Sequence, residues 1–303
     1  MFRTEDLSLF VKAAELESLS SAARSLNTSP AVASSAIKRL EERLGVRLFV
    51  RSTRSICLTT EGSDFYSHAR SALQTLEDGY YKLQKDSDII QGILRVSAPS
   101  DLGRNILSSW LADFQNLYPR LRVCLQLGDG VADLYRQPVD IAIRYGELPD
   151  SSLVALPLVR NNRRVLCAAP SYIARKGVPE CPEDLFQHEC ILYERSEKLH
   201  DKWTFMKAEE ISTVQVFGRL FSNDADVVRR WAIEGRGLVY KSWLDVALEV
   251  QQGQLQIVMP GFVGETAPLS MVLSHRLQLN KKFRVFYEYL KGRCSNLPSM
   301  SFR

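Results

Sequence analysis

The chain has 303 residues, with 39 Lys and Arg against 35 Asp and Glu, and a formal charge of +4; that length suits two domains of ordinary size. A pI of about 8.7 is only mildly basic, so nucleic-acid binding must be argued from local clustering rather than from the total. No apolar run approaches the roughly 20 residues that cross a bilayer, and the first 19 residues are neither a basic nor an apolar leader; a cytoplasmic protein with no membrane partner is expected.

Thr4 to Glu17 reads as a helix with Leu7, Phe10, Val11 and Ala14 on one face. Thr4 suits its cap, and Glu5 and Asp6 suit the positive end of its dipole. A second short helix spans Ser20 to Leu26, with Ser20 or Ser21 as cap and Ala22 and Ala23 small enough for close packing. After Asn27, Thr28 or Ser29 can cap a third helix with Pro30 in its first turn. Ala33, Ala36, Ile37, Leu40 and Leu44 recur at helical spacing as its buried face, and Ser34, Ser35, Lys38 and Arg39 occupy the other. A short, small and polar leading face with basic flanks fits a major groove.

From Ser35 to Arg54 six basic residues, Lys38, Arg39, Arg43, Arg47, Arg51 and Arg54, stand against Glu41 and Glu42. An ordinary solvated helical hairpin would also carry such charge. The apolar runs Val46 to Val50 and Ile56 to Leu58, however, frame Arg51-Ser-Thr-Arg54 as the tip of a hairpin, suited to a minor groove or flanking phosphates.

Glu61 to about Asp88 then reads as one long helix, with Phe65, Ala69, Leu73, Leu76, Tyr80 and Leu83 at steps of three or four. Such a narrow stripe calls for a partner. A second copy of the chain is the simplest one, and packing on the same chain is the alternative. The polar stretch from Asp86 to Gly92 is a plausible hinge.

From Ile93 the pattern becomes α/β. Strands are expected at Ile93 to Ser97, Leu121 to Leu127, Val139 to Arg144, Val165 to Ala169, Cys190 to Tyr193, Val214 to Phe221, Gly237 to Tyr240 and Leu269 to Ser274. Helices are expected at Leu102 to Leu117, Asp129 to Tyr135, Pro170 to Lys176, Asp224 to Glu234, Ser242 to Val250 and Asn280 to Leu290. This gives two α/β lobes, with a cleft where strand ends face helix starts.

The loops expected at that cleft carry Ser100, Asp101, Asp129, Arg144, Tyr145, Asn223 and Asp224. Each aspartate is equally explicable as a helix cap, and Arg144 as an interlobe ion pair. An open Asp101 carboxylate would favour an effector bearing an amine or several hydroxyls over a carboxylate.

The six cysteines are scattered, with no C-x-x-C and no histidine at zinc spacing, so neither metal nor cofactor is expected. Cys181 and Cys190 could bridge in a redox sensor, although Pro182 to Phe186 reads as a helix start between them. The four histidines are isolated, and neither a nucleophile elbow nor a phosphate-binding glycine loop occurs. An enzyme built from residues distant in sequence is the remote alternative.

The stretch SAARSLNTSPAVASSAIKRLEERLGVRLF, the RSTR hairpin tip and the closing LTTEG together resemble the LysR-type transcriptional regulators. LRVSAPSDLG, VDIAIRYGEL and LCAAPSYIARKG resemble the effector domain of the same family, itself similar to periplasmic solute-binding proteins.

The resemblance implies an α/β chain overall. Residues 1–60 would be an N-terminal all-α winged helix-turn-helix and 61–91 a linker helix and hinge. Residues 92–303 would be a two-lobed effector domain, with lobe I over about 92–162 and 267–295 and lobe II over about 163–266. It also implies a sequence-specific regulator with Ser29, Pro30, Ser34, Ser35, Lys38 and Arg39 at or near double-stranded DNA, and with Arg51, Thr53 and Arg54 as wing contacts. A small molecule would bind in the lobe cleft. Phe65, Leu73, Leu76, Tyr80 and Leu83 would pair two subunits of a homo-oligomer, for which the resemblance suggests a tetramer, and RNA polymerase is a candidate partner. Ser35 stands where many relatives carry arginine and Ser52 where threonine is commoner, which bears on the operator that is read.

Overall fold

A computed structural model of the chain describes residues 2–51, 56–83, 90–128, 139–146, 153–195, 198–274 and 281–298. Met1–Asp88 and Ile89–Arg303 form two compact units.

The first unit contains α1 (Thr4–Leu16), α2 (Leu19–Ser25), α3 (Pro30–Leu44), β1 (Phe49–Arg51), β2 (Ile56–Leu58) and α4 (Thr60–Leu83). Helix α1 buries two stripes. Phe10 and Val11 meet Ile37, Leu40 and Leu48, while Leu9 meets Ala23, Ala33 and Ala36. The small alanines let α2 and α3 close on α1, as their spacing predicts. Two caps differ from expectation. Ser18 rather than Ser20 or Ser21 accepts the free N–H of Ser21 at the start of α2. Thr4 is the first helical residue of α1, whose N-cap position is Arg3. Ser29 caps α3 by accepting from Val32 N, with Pro30 first in the helix.

Antiparallel β1 and β2 pair Phe49 with Leu58 and Arg51 with Ile56; residues 52–55 lie outside the described residues. Glu41 ties this ribbon to α3. Its carboxylate accepts from Leu48 N at 2.9 Å and from Arg47 Nη1 at 2.9 Å. Thr59 then turns the chain into α4, donating to Arg47 O and accepting from Gly62 N.

Part of the stripe on α4 serves its own unit. Phe65 lies 5.4 Å from the Phe10 ring, centroid to centroid, and Ala69 and Leu73 join the same core. Phe65 and Leu73 are thus partly buried within their own unit, whereas Leu76 is 58% exposed. The Tyr80 and Leu83 side chains, like residues 84–88, lie outside the described parts.

The second unit is built on two sheets. Its elements are β3 (Gly92–Ala98), α5 (Ser100–Leu102), a π turn (Gly103–Leu107), α6 (Ser108–Leu117), β4 (Leu121–Leu127), β5 (Ile141–Tyr145), β6 (Leu153–Val159), β7 (Arg164–Ala168) and α7 (Pro170–Lys176). After a 3-10 turn (Pro182–Gln187) come β8 (Cys190–Arg195), β9 (Lys198–Leu199), β10 (Lys202–Lys207), β11 (Glu210–Gln215), β12 (Leu220–Ser222), α8 (Ala225–Ile233) and β13 (Leu238–Ser242). The chain continues with α9 (Trp243–Gln251), β14 (Gln256–Ile257), β15 (Val263–Gly264), β16 (Leu269–Ser274) and α10 (Lys281–Cys294).

One sheet has the order β4-β3-β5-β16-β6, and the other β12-β8-β13-β7-β14 with β9 beside β8; β11-β10-β15 forms a third, small sheet. Both faces of the second sheet are covered. Along β7, Val165 and Cys167 face one apolar core and Leu166 and Ala168 face another, the period of two that a strand imposes. The chain passes between lobes at Asn162 and again near Ala267. Asn162, 2% exposed, donates to Ala267 O at 2.6 Å and to Ser242 Oγ at 2.8 Å.

Several expectations for this unit need correction. The helix expected from Leu102 begins at Ser100 and contains a π turn, and the last helix runs on to Cys294. The expected strand from Val214 to Phe221 is two strands in different sheets. Gly218 between them approaches the Cys190 carbonyl so closely that a Cβ would clash. Strands β6 and β10 carried no signal that was read, and of β11 only the end at Val214 and Gln215 was. The helix expected from Asp129 to Tyr135 lies outside the described residues.

One glycine offers a direct test of the first unit. A Cβ on Gly62 would sit well inside contact distance of the Leu48 carbonyl oxygen, which is backbone and cannot rotate away. Alanine is favoured over glycine in a helix by about 1 kcal/mol; overpacking costs about 1–3 kcal/mol and should win. Gly62→Ala is expected to lower the urea midpoint of the Met1–Asp88 unit, whereas a raised midpoint would mean the contact relaxes freely.

Candidate functional site

On the first unit, the exposed face of α3 presents Val32, Ser35, Lys38 and Arg39, with Ser34 half-buried beside them. Lys38 is 76% exposed and only loosely paired with Glu42 at 3.7 Å. Arg39 is different. Its guanidinium makes two bonds to Asp6, at 2.6 and 3.2 Å, and Asp6 is 5% exposed. The hydrogen bond that Arg39 donates to Asp6 holds its guanidinium above the ordinary pKa, outweighing desolvation. Arg39 thus fastens α3 to α1 in addition to any external contact. Arg47 is similarly engaged by Glu41, so the count of six basic residues overstates the charge that is unengaged.

Val32 was passed over as a surface residue. At 50% exposure on the leading turn of α3, it is an apolar group suited to a thymine methyl. Ser29 acts as a cap, and Pro30 begins the helix. Arg51 ends β1. Thr53 and Arg54 lie outside the described residues.

On the second unit, a cavity of about 60 Å³ lies between the two sheets, several times the space one water needs. One lobe contributes Pro99, Arg144 and Tyr145. The other contributes Arg164, Tyr193, Arg195, Tyr240, Lys241 and Asp245, among others. Arg144, 2% exposed, donates to Ser97 Oγ and Ile143 O at 2.8 Å each. Arg164 stands over the Tyr240 ring, 5.9 Å from its centroid, and near Glu265 at 3.6 Å. The Tyr240 hydroxyl donates to Thr204 O and accepts from Glu265 N; burial raises its phenol well above the ordinary range.

Of the described residues expected at the cleft, Arg144 and Tyr145 line this cavity, whereas Ser100, Asp101, Asn223 and Asp224 do not. Ser100 accepts from Ala225 N at 2.8 Å and so joins the lobes. Asp101 is 1% exposed, lies 2.9 Å from Arg229 Nε and 2.5 Å from Lys241 Nζ, and accepts from Asn105. Its charge is compensated inside the protein. The expectation that it selects amine effectors therefore fails, because no open carboxylate faces the cavity at that position.

Asp224 caps α8 by accepting from Asp226 N and Val227 N and pairs with Arg104 at 2.7 Å; the cap reading is the one the geometry gives. Asn223 is exposed. Asp129 lies outside the described residues.

The residues sequence reasoning missed share one signal. Arg164 opens the apolar strand RVLCA, and Lys241 interrupts LVYKS, in which all five positions are buried. A charge inside a buried strand must be paired, and it often marks a site. Burial disfavours the Lys241 ammonium, but Asp101 and Asp245 hold it above its ordinary value.

Comparison with known proteins gives this architecture a place. Residues 4–63 match the family described as bacterial regulatory helix-turn-helix protein, lysR family, and residues 88–295 match the LysR substrate binding domain.

The chain belongs to the LysR family.

Among its relatives, the transcriptional activator AaeR of Escherichia coli K12 is 33% identical over 291 residues, covering 94% of this chain and 92% of the relative. DmlR of the same strain, a transcriptional regulator, is 31% identical over 94% of this chain and 92% of its own length. The solved structure of CrgA, a LysR-type regulator from Neisseria meningitidis, matches with a TM-score of 0.63 at 29% identity, over 98% of this chain and 100% of that one. LysR membership makes the chain a DNA-binding transcriptional regulator with an effector-binding domain.

The thiol-responsive and enzymatic alternatives are not favoured by these relatives. Cys190 is 1% exposed, with burial pushing its thiol up to about 12. A hydrogen bond to Glu183 raises the Cys181 thiol, and raised thiols are weak nucleophiles near neutrality. Among the described residues no helix is long and apolar enough to cross a membrane.

The buried pairs yield a stability test. Asp101→Asn leaves Arg229 and Lys241 without a shared carboxylate, and breaking a buried pair costs about 3–5 kcal/mol. Because Asp226, Glu249 and Asp245 still neighbour those cations, a loss near the lower end is expected in urea unfolding of the Ile89–Arg303 unit. A loss within error would mean that the remaining carboxylates carry the cluster.

Proposed function

We propose that α3 enters the major groove, with Val32, Ser34 and Ser35 facing base edges and Lys38 meeting a phosphate, while Arg51, Thr53 and Arg54 of the wing reach the flanking backbone or minor groove. The observation that carries this reading is the exposed, small and polar face of α3 ending in a nearly free Lys38. Ser29 and Pro30 contribute by setting where the helix starts. Arg39 orients the helix through Asp6 and can add a phosphate contact with its outward edge.

Two copies joined along α4 would place two reader units on one duplex, and two-fold symmetry then calls for two half-sites. Leu76, exposed on the face that continues beyond the unit's own core, supports that pairing. Higher assembly and contact with RNA polymerase extend the same reading, and a cytoplasmic location goes with it. The cavity between the lobes is the effector site in this scheme, with Arg144, Tyr145, Arg164 and Lys241 as its principal contacts. A ligand there changes transcription by binding one subunit arrangement better than another.

Separate readouts distinguish these roles. Lys38→Ala should weaken binding to all duplexes and lower the salt slope by about 1, with an unchanged melting temperature. Arg39→Ala should lower the melting temperature as well. Ser34→Ala should mainly alter site preference. Equal losses on every sequence from Lys38→Ala and Ser34→Ala in fluorescence anisotropy would contradict the assignment. Leu76→Glu should shift sedimentation toward the monomer, and an unchanged oligomer would remove α4 from the interface.

A further inference from the structure

Between the end of α3 and β1, one peptide group, that of Arg47 and Leu48, is held by two helices at once. Its N–H, on Leu48, donates to Glu41 Oε1 of α3 at 2.9 Å. Its C=O, on Arg47, accepts from Thr59 Oγ1, just ahead of α4, at 2.7 Å. A peptide group is planar and fixes the directions of its N–H and C=O relative to each other. Glu41 and Thr59 therefore grip two edges of one rigid plate.

Each grip is reinforced on its own side. Glu41 Oε2 accepts from Arg47 Nη1 at 2.9 Å, and the Glu41 side chain is 10% exposed. Thr59 N donates to Leu48 O at 3.0 Å. Thr59 also caps α4, its Oγ1 accepting from Gly62 N at 2.8 Å and its carbonyl from Ser63 N at 2.9 Å. Gly62 is buried and lies against the Leu48 carbonyl with no room for a Cβ. Helix α4 thus meets this segment backbone to backbone, with no long side chain between them to change rotamer.

We infer, on the reading in which α3 enters the groove and α4 pairs two copies, that this peptide group is the joint that sets the angle of α4 to α3. Glu41 and Thr59 are then positioning residues for DNA binding, although neither needs to touch the duplex. Packing of Phe65 on Phe10 also holds α4 to its unit. Aromatic contacts, however, admit a range of offset and tilted geometries, whereas hydrogen bonds weaken steeply once misaligned.

The angle matters because α4 is a lever. From Thr60 to the exposed Leu76 the helix rises about 24 Å, at about 1.5 Å per residue. A turn of about 8° at the joint therefore moves the far end by about 3.4 Å, the rise of one base-pair step. With two readers on paired levers, a rigid joint selects one separation of half-sites. A loose joint accepts several, and the contacts of each single reader are untouched.

The test is fluorescence-anisotropy titration of the full chain with a duplex that the wild type enriches from a random library. Companion duplexes carry one or two extra base pairs midway between the half-sites, or one half-site scrambled. The wild type should lose about tenfold or more in affinity on the respaced duplexes, because simultaneous engagement is lost. Thr59→Val and Glu41→Ala each break one grip. Each should reduce that ratio to about threefold or less, weaken binding to the original duplex, and leave affinity for the single half-site unchanged. Thr59→Ser keeps the hydroxyl and Glu41→Gln keeps an acceptor for Leu48 N, so both should retain the wild-type ratio. Circular dichroism at the assay temperature identifies the folded variants, and either broken variant alone decides the matter.

A wild-type spacing ratio in a folded Thr59→Val or Glu41→Ala overturns the joint and leaves the Phe10–Phe65 packing to set the angle. Equal losses on every duplex, the single half-site included, overturn it too, since the two residues then only hold the reader together. A wild type that prefers two half-sites yet ignores their spacing overturns the joint while pairing through α4 stands. Binding two half-sites no more tightly than one refutes the pairing itself, and failure to enrich any duplex refutes sequence reading by α3; the joint falls in both cases.

Discussion

Asp101 is the point on which the effector domain turns. It belongs to the lobe of the first sheet, and its two cations, Arg229 and Lys241, belong to the other. All three are at least nine-tenths buried. Ions removed from water are tolerable only when each finds partners of good geometry. Arg229 meets three carboxylates, Asp101, Asp226 and Glu249, and Asn105 bridges Asp101 and Asp226. An apolar patch could join the lobes at many registers, whereas this cluster is satisfied at very few. It fixes the separation at which Arg144 and Tyr145 face Lys241 and Asp245, and so it shapes the cavity. Lys241 belongs to both, lying 2.5 Å from Asp101 and 3.6 Å from Asp245.

The reader unit uses a smaller version of the same device. Asp6, buried in α1, holds Arg39 of α3, and Glu41 of α3 holds both Arg47 and the start of β1. Helix α3 is thereby fixed to α1 on one side and to the β1-β2 ribbon on the other. Basic residues that look like a DNA-binding patch in sequence partly serve to keep the patch in one orientation.

Local signals were legible in the sequence. Helix α3 was readable from Ser29, Pro30 and the spacing of Ala33, Ala36, Ile37 and Leu40, because cap, proline and apolar period all depend on neighbours a few residues away. Helix α7 and strands β4 and β16 were equally plain. What failed was information carried by distant contacts. Asp101 reads as a cap or an open carboxylate until Arg229 and Lys241, 128 and 140 positions later in the chain, are brought beside it. The stripe on α4 leaves a dimer seam and packing on its own chain both open until Phe10 is seen against Phe65. The cavity was half found: Arg144 and Tyr145 end a recognisable strand, but Arg164, Lys241 and Asp245 lie in or beside elements that look like ordinary core. Of the hairpin of β10 and β11 only the end at Val214 and Gln215 was read.

The measurement that bears most directly on the account is fluorescence-anisotropy binding of the full chain to the duplex upstream of its own gene and to a scrambled duplex, at low and near-physiological salt. Phosphate contacts alone weaken steeply and alike on both duplexes as salt rises, whereas base readout does not. The account predicts that binding to the native duplex survives near-physiological salt while binding to the scrambled one is lost. Loss of both together would leave only a basic surface, and would contradict the claim that α3 reads sequence.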